Sequence, residues 1–138
     1  MSVIVSKRGK QDLQVLNSAT ELAAYTVNIC ANEKSFPKKY RWPITNQIVS
    51  EAIKISAQIR KANHMSLYND IARQKRYEYQ MEANASCESL LCLIDIAYKV
   101  FHFSSDRLEY WVGLTVQVEE DLKKWCDSDK RRIAKHKQ

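Results

Sequence analysis

Pro43-Ile44-Thr45-Asn46-Gln47-Ile48-Val49-Ser50-Glu51-Ala52-Ile53-Lys54-Ile55-Ser56-Ala57-Gln58-Ile59-Arg60-Lys61-Ala62 decides the fold class. Its apolar positions Ile44, Ile48, Ala52, Ile55, Ile59 and Ala62 step by four, four, three, four and three. That spacing puts them on one stripe of an α-helix and scatters them over both faces of a strand. Asn63-His64 marks its expected stop.

The same pattern recurs on either side. A first helix fits residues 10–33, with Leu13, Leu16, Ala19, Ala23, Ile29 and Cys30 as its stripe. Pro37 then disfavours helix in the residue before it. A third helical region spans Ser66 to Phe101, with an irregularity or projecting end expected near Tyr68 to Lys75. From Leu90 through Leu91, Leu93, Ile94, Ile96, Ala97 and Tyr98 to Phe101 it is apolar on more than one face, which suggests contact with another subunit. A fourth helix begins after Ser104-Ser105-Asp106, which offers N-caps and a first-turn acid. Leu108, Trp111, Thr115, Val118, Leu122 and Trp125 form its inner stripe, and it is expected to end near Asp127. The expected architecture is all-α: an antiparallel up-and-down four-helix bundle over residues 10–127. A flexible arm (1–9) precedes it and a disordered basic tail (128–138) follows it.

Composition agrees with one all-helical domain. The chain has 138 residues, 45% apolar and 28% charged, with only two glycines and two prolines. A sandwich or barrel needs more turn residues, and a glycine-rich phosphate cradle has no material here. No apolar run reaches the roughly 20 residues of a membrane span. Cys30, Cys87, Cys92 and Cys126 lack CxxC spacing and read as small buried apolar residues of a reduced, cytoplasmic protein. His64, His102 and His136 enter no Glu-x-x-His pattern, so no metal or cofactor is expected. Glu119, Glu120 and Asp121 lie on successive helical faces, and no nucleophile motif occurs, so an enzyme is not expected.

The net charge is +6, and its distribution points to anionic partners. Lys34, Lys38, Lys39 and Arg41 occupy one loop with no acid between them, interleaved with Phe36, Tyr40 and Trp42. Such a loop can set cations on phosphates and flat rings against bases, or fold its rings onto the bundle end. Arg73 and Arg76 share a helical face and either contact phosphate or pair with Asp70 and Glu78. Lys130, Arg131, Arg132, Lys135 and Lys137 crowd the expected tail. These cations are the candidate nucleic-acid-binding residues.

Three segments resemble a known family. They are Phe36-Pro37-Lys38 leading to Ile44-Thr45-Asn46-Gln47-Ile48, then Ala52-Ile53 through Ile59, then Ala85-Ser86-Cys87-Glu88-Ser89-Leu90-Leu91 running into Ile94-Asp95-Ile96-Ala97. In this order they look like the small four-helix-bundle proteins encoded by intervening sequences in bacterial 23S rRNA genes. That group includes the accessory variability determinant (Avd) of diversity-generating retroelements. The basic insert around Asn63 to Arg76 fits the retroelement branch better. The resemblance implies a cytoplasmic, non-catalytic homopentamer, ring-like, that binds a reverse transcriptase and template RNA, with DNA as a further ligand, and supports mutagenic cDNA synthesis. The alternatives are a protein-only oligomeric scaffold and an rRNA- or ribosome-associated relative.

Overall fold

The computed structural model describes residues 10–137; the expected arm and Gln138 lie outside the described residues. Four helices follow in order: α1 (Lys10–Cys30), α2 (Asn46–His64), α3 (Asp70–Val100) and α4 (Ser105–His136). α2 packs most extensively on α3, and α1 and α4 pack most extensively on each other, closing the ring. The result is an up-and-down bundle, as the stripes require.

The stripes predict the core well where they are wholly apolar. Ile44, Ile48, Ala52, Ile55, Ile59 and Ala62 are all buried. So are Trp111, Thr115, Val118, Leu122 and Trp125 on α4, while Leu108 is half-buried. On α1 the stripe is an incomplete guide. Leu16, Ala19, Ile29 and Cys30 point inward, but Leu13 and Ala23 are only half-buried. The inward face also includes Asp12, Val15, Leu22 and Thr26. Two of these are polar, and their burial depends on partners more than 80 residues away.

Local chemistry sets the boundaries. α1 ends at Cys30, short of the expected Glu33. The Asn32 carbonyl accepts from the Phe36 amide at 2.8 Å and turns the chain there. α3 starts at Asp70, with the Asn69 side chain accepting from the Ala72 amide, and it runs unbroken to Val100. The irregularity expected near Tyr68 to Lys75 is confined to the turn before Asp70. Ser104 caps α4, its hydroxyl accepting from the Arg107 amide at 3.2 Å.

The expected disordered tail is a correction. α4 continues to His136, so residues 128–136 are bundle helix. Asp129 is only 6% exposed and is held by ion pairs, which fasten the segment to the bundle. The segment has no glycine or proline to stop it, and Lys135 and His136 complement the helix dipole in the last turn. Cys92 is a second correction: it is exposed, whereas Cys30 and Cys87 are buried and Cys126 is partly so.

Candidate nucleic-acid interface

The basic loop is an ordered double turn. Lys38–Tyr40 form a 3-10 turn and Arg41–Thr45 a π-helical turn that runs into α2. Its rings have different fates. Phe36 is 2% exposed, with its centroid 5.0 Å from that of Phe101 and 5.5 Å from that of Phe103. Tyr40 packs on Phe101 at 5.2 Å. Ile44 and Thr45 are buried at the far side of the turn. With both sides anchored, the residues between them are held outward. Lys34, Lys38, Lys39 and Arg41 all reach solvent, and Trp42 is 85% exposed.

One acid reaches this cluster. Glu33 lies 3.5 Å from Lys38 and 3.7 Å from Arg41. It precedes the acid-free run, so the pattern of the loop alone does not include it. All three side chains are more than half exposed, and such surface pairs are worth only about 0–1 kcal/mol. Lys39 lies over the Tyr40 ring, 5.1 Å from its centroid. The turn stays positive and accessible.

The opposite end of the bundle corrects the expectation for Arg76. Arg76 is 4% exposed and binds Asp129 in a fork, Nε to Oδ2 at 2.7 Å and Nη2 to Oδ1 at 2.9 Å. Its Nη1 donates to the Ala62 and Met65 carbonyls at the end of α2, at 3.4 and 3.3 Å. Its guanidinium sits 4.8 Å from the Trp125 ring centroid. Gln80 donates to Asp129 at 2.9 Å. Arg132 joins Asp129 at 2.9 Å and Asp12 at 3.2 Å. This knot ties all four helices together. Sequence pattern places Arg76 on an exposed face because Asp129 is 53 residues away. Arg132 is half-buried in the same knot. Arg73 pairs with Asp70 and donates to the Leu67 carbonyl. Of the three, Arg76 is withdrawn from solvent, while Arg73 and Arg132 stay partly exposed beside their partners.

Lys130, Arg131 and Lys135 extend along α4, with Lys130 and Arg131 exposed in the row beside the knot and Lys135 exposed one turn on. Nearby, a groove of about 1050 Å³ is lined by Arg60, Lys61, His64 and Arg132 with Tyr68 and Tyr79. Arg60 and Lys61 stand near the C-terminus of α2, where cations complement the helix dipole, and the groove brings them together with His64. The candidate cations therefore fall at two ends. At about 1.5 Å per residue, Trp111 beside the turn and Asp129 in the knot are roughly 27 Å apart along α4. A small ligand cannot bridge the two ends, but a polymer can.

Burial perturbs several titratable groups elsewhere in the bundle. Burial pushes the Cys30 and Cys87 thiols up to about 12 and that of Cys126 to about 11, so none of these is a thiolate at neutral pH. Asp121 is buried and accepts from Gln14 and Gln117 at 3.1 and 3.0 Å. Partial burial and a hydrogen bond with Glu88 raise the Glu119 carboxyl to about 7. Among the described residues, no group of three potential metal ligands converges, and no helix is long and apolar enough to cross a membrane. Comparison with known proteins finds no matching family model, no matching curated protein and no matching solved structure.

Proposed function

We propose that this chain is a non-catalytic, cytoplasmic accessory factor of the Avd type. In this reading it binds RNA and a reverse transcriptase, works as a ring-like homopentamer, and supports mutagenic cDNA synthesis. The observation that carries the reading is the basic turn, whose Lys34, Lys38, Lys39 and Arg41 face solvent on a backbone anchored by Phe36 and Ile44. A rigid array of cations facing solvent gains counterion-release energy with little ordering cost. Lys130, Arg131 and Lys135 add a second, more diffuse charge at the far end.

Self-association draws support from the outer face of α3. Ala85, Ser89, Cys92, Ile96 and Val100 are exposed and step by four, three, four and four. That is a second helical stripe, weakly polar and directed away from the core. Repeating the basic turn around a ring multiplies weak contacts into avidity. The same stripe also suits a protein-only scaffold, the competing reading.

Co-purification with a candidate reverse transcriptase, with and without nuclease, tests the reading. A complex that survives nuclease and also retains RNA when left untreated is the expected result. An isolated protein with no affinity for RNA at low salt would leave the protein-only scaffold. Light scattering after size exclusion should give a pentamer mass; a monomer at micromolar concentration would remove the ring.

A further inference from the structure

We infer that Trp42 is a stacking platform for an unpaired base, so that the basic turn takes single-stranded nucleic acid in preference to duplex. The inference rests on the reading of the turn as a nucleic-acid surface and adds the form of ligand.

The turn contains three aromatic residues, and the bundle uses two of them. Phe36 fills the core, and Tyr40 lies against Phe101. Trp42 contributes little to the bundle: at 85% exposed, it is more open than any other exposed large apolar side chain among the described residues. It is not on a loose loop. The π-helical turn closes around it, with the Asn46 amide donating to the Arg41 carbonyl, and Pro43 follows directly. Its neighbours are cations. Arg41 precedes it, and Lys38 and Lys39 lie one turn earlier, their side chains in solvent.

An exposed indole on an ordered turn, with Arg41, Lys39 and Lys38 close before it in the chain, matches one chemistry closely. A single strand offers phosphates to the cations and an unstacked base to the ring. In a duplex the bases are stacked on each other and their faces are closed to a side chain. An apolar protein pocket would also take an indole, but it has no use for the flanking cations, and each would lose hydration on docking.

The three tryptophans allow a direct test. Trp111 and Trp125 are 0% exposed, so a collisional quencher reaches Trp42 alone. The full chain is titrated with a short mixed-sequence RNA strand and with the same strand annealed to its complement. The single strand should bind more tightly, quench the exposed emission and protect it from the collisional quencher. Trp42→Ala should weaken single-strand binding about 5- to 100-fold, the effect of losing one base–aromatic stack. Trp42→Phe should restore part of the loss. Because no charge is removed, Trp42→Ala should leave the slope of log K against log salt unchanged, unlike variants of Lys38, Lys39 or Arg41. Its melting temperature should match the parent's, since the ring is not part of the core.

Equal affinity for strand and duplex, or full affinity in Trp42→Ala, overturns the stacking role and leaves the basic turn standing. Full RNA affinity in Trp42→Ala together with a smaller particle mass makes the ring a subunit contact, which also overturns it. Failure of the parent to bind either RNA overturns both the inference and the reading beneath it.

Discussion

The two ends of this bundle are held by opposite chemistry. At the turn end, Phe36, Phe101, Phe103 and Trp111 form a dry aromatic cluster, with ring centroids 5.0 to 6.0 Å apart. A buried polar link joins α1 to α4 there: the Trp111 indole N–H donates to the Thr26 hydroxyl at 2.9 Å. At the far end, Arg76, Asp129, Asp12, Arg132 and Gln80 form an ionic knot. Aromatic packing is non-directional and degrades gradually as atoms are removed. A buried ion network depends on every member, because one deletion strands a charge. The difference bears on function as well. The dry end needs none of its cations for folding, so Lys38, Lys39 and Arg41 are available to a partner. The ionic end binds Arg76 and Arg132 into the structure itself.

Paired truncations should expose this contrast with the largest effects. Trp111→Ala should cost about 3–5 kcal/mol of unfolding free energy by chemical denaturation, through the cavity it leaves. Asp129→Ala should cost a similar amount, about 3–5 kcal/mol, by removing the forked partner of Arg76 and leaving it Asp12 at 3.6 Å. The second step separates them. Adding Arg76→Met to Asp129→Ala should recover much of the loss, since the stranded guanidinium is gone. If the double variant is no better than the single, the knot acts by shape, and the contrast between the ends fails.

Gly113→Ala gives a smaller effect in the opposite direction. Gly113 is exposed on α4, and a Cβ there would meet nothing within 4 Å. Alanine should stabilise the fold by about 0.5–1 kcal/mol through helix propensity alone. Denaturation midpoints should show that gain added in full to Asp129→Ala, because Gly113 lies about four turns from the knot along α4.

Between the ends, Glu119 and Glu88 supply a pH signature. Folding raises the Glu119 carboxyl from 4.5 to about 7, chiefly through burial and then through Glu88. The folded state therefore holds a proton that the unfolded state has released across that range, and stability should fall as pH rises from about 4.5 to about 7. Glu119→Gln should flatten that slope and melt higher than the parent at neutral pH. An unchanged pH profile would mean the pair is solvated.

How much of the molecule is legible in the sequence depends on where the partners of each residue lie. α2 is legible because Ile44 through Ala62 are apolar at every position of the stripe, so periodicity alone identifies the face. α1 is half legible, since the buried Asp12 and Thr26 take partners on other helices, Arg132 and Arg76 for the first and Trp111 for the second. The end of α4 is hidden because a run of cations resembles a solvated tail. Asp129 fastens it, and its partner Arg76 is on another helix. For the same reason Arg76 and Arg132 group with the exposed cations when only the sequence is read, whereas the pairing of Arg73 with Asp70 is local. The turn is half legible too: its outward charges are local, but Phe36 and Tyr40 are anchored by Phe101 and Phe103 from another part of the chain, and Glu33 falls outside the pattern.

A salt titration of RNA binding by two triple variants tests the central assignment most directly. One carries alanine at Lys38, Lys39 and Arg41, the other at Lys130, Arg131 and Lys135. The turn variant should bind more weakly and show a salt slope shallower by about 0.7–0.9 for each phosphate no longer neutralised, on RNAs of any sequence. The α4 variant should change less on both measures, and both should remain helical by circular dichroism. A turn variant that binds like the parent at every salt concentration would contradict the assignment.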